Sequence, residues 1–130
     1  MLHLSVLEGE FSICRLDSNV PIPTWALADP VVSLTRTGEE LSIVVRQEAI
    51  PSDVLSERGW RCLKVAGPLD FALTGILAAL CGPLAAAHIP LFAISTFDTD
   101  YLLVRVGDLE PAIAALESVG HSVLGSTPSE

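Results

Sequence analysis

The stretch ISTFDTDYLLV, residues 94–104, decides the fold. Its ends are apolar and strand-forming, while Ser95-Thr96-Phe97-Asp98-Thr99-Asp100 in the middle carries turn chemistry. Two strands, 91–97 and 101–106, therefore meet at a tight connection. In the second, Leu102, Val104 and Val106 share one face and Tyr101, Leu103 and Arg105 the other.

Working outward, Leu73, Ile76, Leu77, Leu80 and Leu84 recur at helical spacing, so 70–89 reads as a long helix that Pro83 kinks or divides. Trp60 to Val65 is a strand ahead of it. Downstream, Asp108 is placed to cap a helix over 109–119, with Pro111 in its first turn, Gly120 at its end and a strand at 121–124. The order is βαββαβ, that of a ferredoxin-like fold.

The first half repeats part of this at a spacing of about 60 residues. Strands at 11–16, 31–36 and 41–46 are joined by a short helical turn near Thr24-Trp25-Ala26 and by the turn Thr37-Gly38-Glu39-Glu40. Pro51-Ser52-Asp53 starts a brief helix that Gly59 stops. A fourth strand is then missing. The alternation of Leu2, Leu4 and Val6, followed by Glu8-Gly9, predicts a hairpin from 2–7 to 11–16 that supplies it. The expectation is an α+β chain of two ferredoxin-like modules, 1–58 and 59–125, with antiparallel sheets, helices on one face and a polar tail at 126–130. The N-terminal strand completes the first module.

Composition narrows the function. The chain has 130 residues, half of them hydrophobic and 18% charged, enough for a proper core. A net charge of −9 with scattered Lys and Arg argues against nucleic acid. Cys14, Cys62 and Cys81 form no metal or disulfide pattern and read as reduced thiols of a cytoplasmic protein. The N-terminus carries no secretory signal pattern. Phe71 to Phe97 holds no Asp, Glu, Lys or Arg, yet Pro83, Pro90, Gly75, Gly82 and His88 interrupt it and acids flank it, so no membrane span is expected. His3, His88 and His121 lie apart from any nucleophile motif, and His88 suits a helix C-terminus. No phosphate loop or dinucleotide fingerprint occurs. Neither an enzyme nor a cofactor or metal is expected.

Three segments carry a resemblance: Gly59-Trp60-Arg61-Cys62-Leu63-Lys64-Val65, then Gly67-Pro68-Leu69-Asp70-Phe71 with Leu73-Thr74-Gly75-Ile76, then Ala93-Ile94-Ser95-Thr96-Phe97-Asp98-Thr99-Asp100-Tyr101. In these the chain resembles the small bacterial tandem ACT-domain proteins, related to the regulatory ACT domains of aspartate kinases and to CASTOR-type arginine sensors. The resemblance implies a βαββαβ fold and an amino acid or similar small ligand at a domain or subunit interface. It places the site on Asp70, Thr74, Gly75 and Ile76 with Ile94, Ser95, Thr96, Phe97, Asp98 and Asp100. It further implies a homodimer and a regulated protein in trans, since no catalytic domain is attached. The equivalent segments of the first module are short and lack a Gly at the helix start.

The chemistry of these residues suits an amino acid. A helix start offers unpaired amides and a positive dipole end to a carboxylate. Thr74 and Ser95 can hydrogen-bond, and Asp70, Asp98 or Asp100 can pair with an ammonium or a basic side chain. Each has a plainer reading. Asp70 caps the helix, Asp98-Thr99-Asp100 is turn chemistry, and Gly75 permits helix–sheet packing. The competing function is a docking module for another protein, with no small ligand.

Overall fold

A computed structural model describes residues 1–67 and 74–125. It contains eight strands and two α-helices among those residues, an α+β chain of mainly antiparallel pairing. The chain forms two compact units, one of Met1–Glu8 with Arg61–Glu130, the other Gly9–Trp60.

The first of these, here the helical unit, contains β1 (His3–Val6), the end of β5 (Ser56–Val65), α1 (Ile76–Ala86), β6 (Phe92–Ser95), β7 (Asp100–Arg105), α2 (Leu109–Ser118) and β8 (Ser122–Leu124). Its strand order is β6-β7-β5-β1-β8. From β5 onward this is βαββαβ, with β1 inserted between the first and fourth strands. Alternate residues Leu4 and Val6, Leu63 and Val65, Leu102 and Val104 meet Leu80 and Leu84 of α1 and Leu109, Ala112 and Leu116 of α2 in one core. Leu80 and Leu84 are fully buried, each contributing about 2 kcal/mol.

Helix α1 runs unbroken through Pro83. Proline has no N–H, so the Ala79 carbonyl four residues earlier loses its helical donor. The buried His121 supplies one: its Nε2 lies 3.1 Å from the Ala79 oxygen, while its Nδ1 accepts the Leu2 N–H at 3.1 Å. The backbone partners fix both directions, so the ring holds its proton on Nε2. Both helices end alike. His88, at φ 60, and Gly120, at φ 99, take the left-handed position after the cap residue. Behind them, Ile89 N–H donates to the Leu84 carbonyl and His121 N–H to the Leu116 carbonyl, the paired bonds of a Schellman stop. No helix among the described residues is long and apolar enough to cross a membrane.

The strand unit contains β2 (Phe11–Leu16), β3 (Ser33–Arg36), β4 (Leu41–Arg46) and the start of β5, in the order β3-β4-β2-β5. That too is the ferredoxin-like strand order, but three-residue 3-10 turns at Thr24–Ala26 and Gln47–Ala49 stand where helices would. Cys14, Ala26, Leu41, Ile43, Val45 and Ile50 form its core.

Three expectations are corrected. The N-terminal strand does not pair with β2 in a hairpin and does not complete the first module. It pairs antiparallel with Leu63–Val65 and parallel with β8, because Leu4 and Val6 fill the helical unit's core. Residues Ser56–Trp60 supply the missing strand instead, so the helix over 51–58 is absent and Gly59 stops none. Gly59, at φ 85, sits where the β2–β5 register slips and donates its N–H to Gln47 Oε1 at 2.7 Å, which is bulge geometry. Lastly, Asp108 makes no side-chain cap: a 3-10 turn, Val106–Asp108, leads directly into α2.

Candidate functional site

The β6–β7 hairpin is the better-defined part of the expected site. Its strands pair with Ser95 opposite Asp100 and Ile94 opposite Tyr101. The connection closes through the Thr96 N–H donating to the Thr99 carbonyl at 2.8 Å. The Thr96 hydroxyl donates to that same oxygen at 3.0 Å and accepts the Thr99 N–H at 3.3 Å. Such side-chain closure is what Thr brings to a turn. Across the last rung, Ser95 Oγ donates to Asp100 Oδ1 at 2.6 Å, fixing the carboxylate of a half-buried aspartate. Phe97 and Asp98 stand exposed at the tip, Phe97 at 80%.

One residue at this turn was not among those expected in the site. Thr99 is only 3% exposed, and its hydroxyl donates to the Val65 carbonyl at 2.7 Å. The hairpin is thereby tied to the end of β5, where the chain leaves for α1. The turn in the first half carries the available sequence signal, since it has Glu40 in the matching place.

The other half of the site is the start of α1. Gly75 is the residue before the helix, at φ 79 and ψ 7, and its carbonyl accepts the Ala79 N–H at 2.8 Å. A left-handed backbone there calls for glycine. A Cβ added at Gly75 would meet no atom of the described residues within 4 Å. Among the described residues no side chain caps this end and no acid lies in the first turn, a setting in which helix-start N–H groups suit an anion. Thr74 is exposed and Ile76 half-buried. Asp70 lies outside the described residues, and so does its capping. Hydrogen bonds and strand pairing thus join Ser95, Thr96 and Asp100 in one hairpin, while Thr74, Gly75 and Ile76 stand together at the start of α1.

Nucleophilic chemistry finds little support nearby. Cys14, Cys62 and Cys81 are free thiols. Burial pushes Cys62 up to about 12, and Cys14 to about 11 despite the lowering charge of Arg58, so both stay protonated at neutral pH. Among the described residues no group of three or more His, Cys, Asp or Glu is placed to hold a metal ion.

Comparison with known proteins agrees with this architecture. The family model described as "ACT domain" matches residues 55–118, and a second, described as an N-terminal domain, matches 9–53. A crystal structure of a protein from Agobacterium tumefaciens is 44% identical, with a TM-score of 0.91 over 97% of this chain and 94% of that one. The rat (Rattus norvegicus) cytosolic arginine sensor for mTORC1 subunit 1 is 32% identical over 116 residues, 85% of this chain and 33% of the sensor. This chain therefore spans about a third of the length of the curated relatives it matches. The regulatory subunit of aspartate kinase from Thermus thermophilus shares the fold at 11% identity, with a TM-score of 0.62 over 90% of this chain and 97% of the subunit. Over residues 55–118 the chain belongs to the ACT-domain family.

Proposed function

We propose that this chain is a non-catalytic sensor that binds a free amino acid at the β6–β7 hairpin and the start of α1. It passes occupancy to a regulated protein in trans. The observation that carries the reading is the Ser95–Asp100 pair, a carboxylate fixed in place on a hairpin of an ACT-type fold. From Ala66 to Val104 the chain has no Lys or Arg, and its acids there are Asp70, Asp98 and Asp100. A ligand's ammonium or basic side chain suits the carboxylates, and its α-carboxylate suits the uncapped amides of α1. Likeness to an arginine sensor makes L-arginine the first probe. The protein acts in the cytoplasm, as a homodimer of tandem ACT modules.

Thermal-shift screening of the twenty amino acids, confirmed by calorimetry, tests this. At least one amino acid raises the melting temperature, and Asp100→Ala or Asp98→Ala then weakens binding by roughly tenfold to a hundredfold. A bound amino acid whose affinity neither substitution changes sinks the site, and no shift with any of them sinks the sensor.

A second reading, docking on another protein without a small ligand, is favoured by Phe97, 80% exposed at the hairpin tip. It predicts a reproducible partner that Phe97→Ser releases, with no metabolite shift.

A further inference from the structure

The turn that closes β6–β7 has a counterpart in the strand unit. There the Thr37 N–H donates to the Glu40 carbonyl at 2.9 Å, and the Thr37 hydroxyl accepts the Glu40 N–H at 3.2 Å. Thr96 and Thr99 make the same closure with the same atoms. The closure at β3–β4 works with a glutamate in the fourth place, so it needs no hydroxyl there. The Thr99 hydroxyl answers another demand, and its bond to the Val65 carbonyl says which.

Val65 is the last residue of β5 and fully buried. Its carbonyl belongs to the same peptide plane as the Ala66 N–H, which donates to the His3 carbonyl at 2.7 Å. That plane is thus held on both sides, by β1 on one and by Thr99 on the other. Thr99 itself is buried and has no donor left to offer a ligand: its N–H and its hydroxyl proton are both engaged within the protein.

We propose that Thr99 is a positioning residue of the ligand site, holding the hairpin carboxylates in register with the end of β5. The proposal rests on the amino-acid reading above. A valine at 99 keeps the shape and removes the bond to the buried Val65 carbonyl. A serine keeps the bond and loses only a methyl group.

The test is calorimetric titration with L-arginine, below the melting temperature of each variant as judged by circular dichroism. Thr99→Val binds roughly tenfold more weakly than the wild type or worse, and Thr99→Ser stays within about threefold. A residue that only stabilises the fold would lower the melting temperature of Thr99→Val and leave the affinity of the folded protein alone, which overturns the proposal. Should Thr99→Val fail to fold, Thr99→Cys replaces it, since a thiol is a weak donor. Its affinity then falls between the other two, and wild-type affinity for the cysteine variant overturns the proposal equally. If L-arginine does not bind the wild type, the titration uses the amino acid that shifts its melting temperature; if none of the twenty does, the amino-acid reading fails and this inference with it, whereas tight binding by every variant removes Thr99 alone.

Discussion

The two units share a strand order and a turn, but only one has helices. In the helical unit, Leu80, Leu84, Leu109, Ala112 and Leu116 come from α1 and α2 to cover the sheet. In the strand unit, Trp25, Ala26, Ala49 and Ile50, in and beside two 3-10 turns, pack on the core of Cys14, Leu41, Ile43 and Val45. The sheet pattern therefore survives without a helical layer, while the site features attached to a helix start do not. An uncapped α-helix preceded by a left-handed glycine exists only at Gly75–Ile76 among the described residues, and only its neighbouring hairpin has Thr99. The two units carry hairpins closed in one way; the helix and the hydroxyl set one of them apart.

The sharpest way to break this comparison is at His121, which maintains the helical layer the other unit lacks. His121→Ala leaves the Ala79 carbonyl and the Leu2 N–H without partners and costs about 2–3 kcal/mol in urea unfolding. His121→Gln, which offers an acceptor and a donor on one side chain, recovers part of that loss. Equal stabilities for wild type and alanine variant would mean that α1 tolerates Pro83 unaided.

A smaller effect tests the likeness of the two turns. Thr37→Ala and Thr96→Ala each remove a hydroxyl that accepts the N–H three residues on, so each costs about 1 kcal/mol. Matched losses sharpen the comparison, and a loss at one turn only breaks it.

The smallest effect has the opposite sign. The two helices end on the same motif, with Gly120 in one and His88 in the other at the left-handed position. His88→Gly relieves that backbone and raises stability by about 0.5–1 kcal/mol. A drop in melting temperature would show that the histidine side chain, rather than the backbone, matters there.

Much of this was legible in the sequence, for reasons that differ by element. The alternation in Tyr101–Val106 and the spacing of Leu80 and Leu84 reflect burial against one core, which periodicity reports directly. The destination of residues 2–7 was hidden, because alternation marks a strand without naming its neighbour. Residues 51–60 misled for another reason. Pro51 and Gly59 punctuate a chain in the same way around a short helix or around a bulged strand, and the bond from Gly59 to Gln47 joins residues that no local pattern links. At the site, Ser95, Thr96 and Asp100 were visible as polar residues in a turn. Thr99 was as visible and was missed, since its role lies in a bond to Val65, thirty-four positions away.

Strand β5 has a consequence for anyone dissecting the molecule. Its first residues are the closing strand of Gly9–Trp60, and its last residues open the βαββαβ run that follows. The eight residues before Gly9 belong with what comes after Trp60. Unit Gly9–Trp60 is thus a guest spliced into a host, and a gene cut once after Trp60 leaves the host fragment without β1. A faithful separation needs excision and religation. Glu8 joined to Arg61 through a short linker closes the host, helped by the Leu7 N–H that already reaches the Cys62 carbonyl at 2.8 Å.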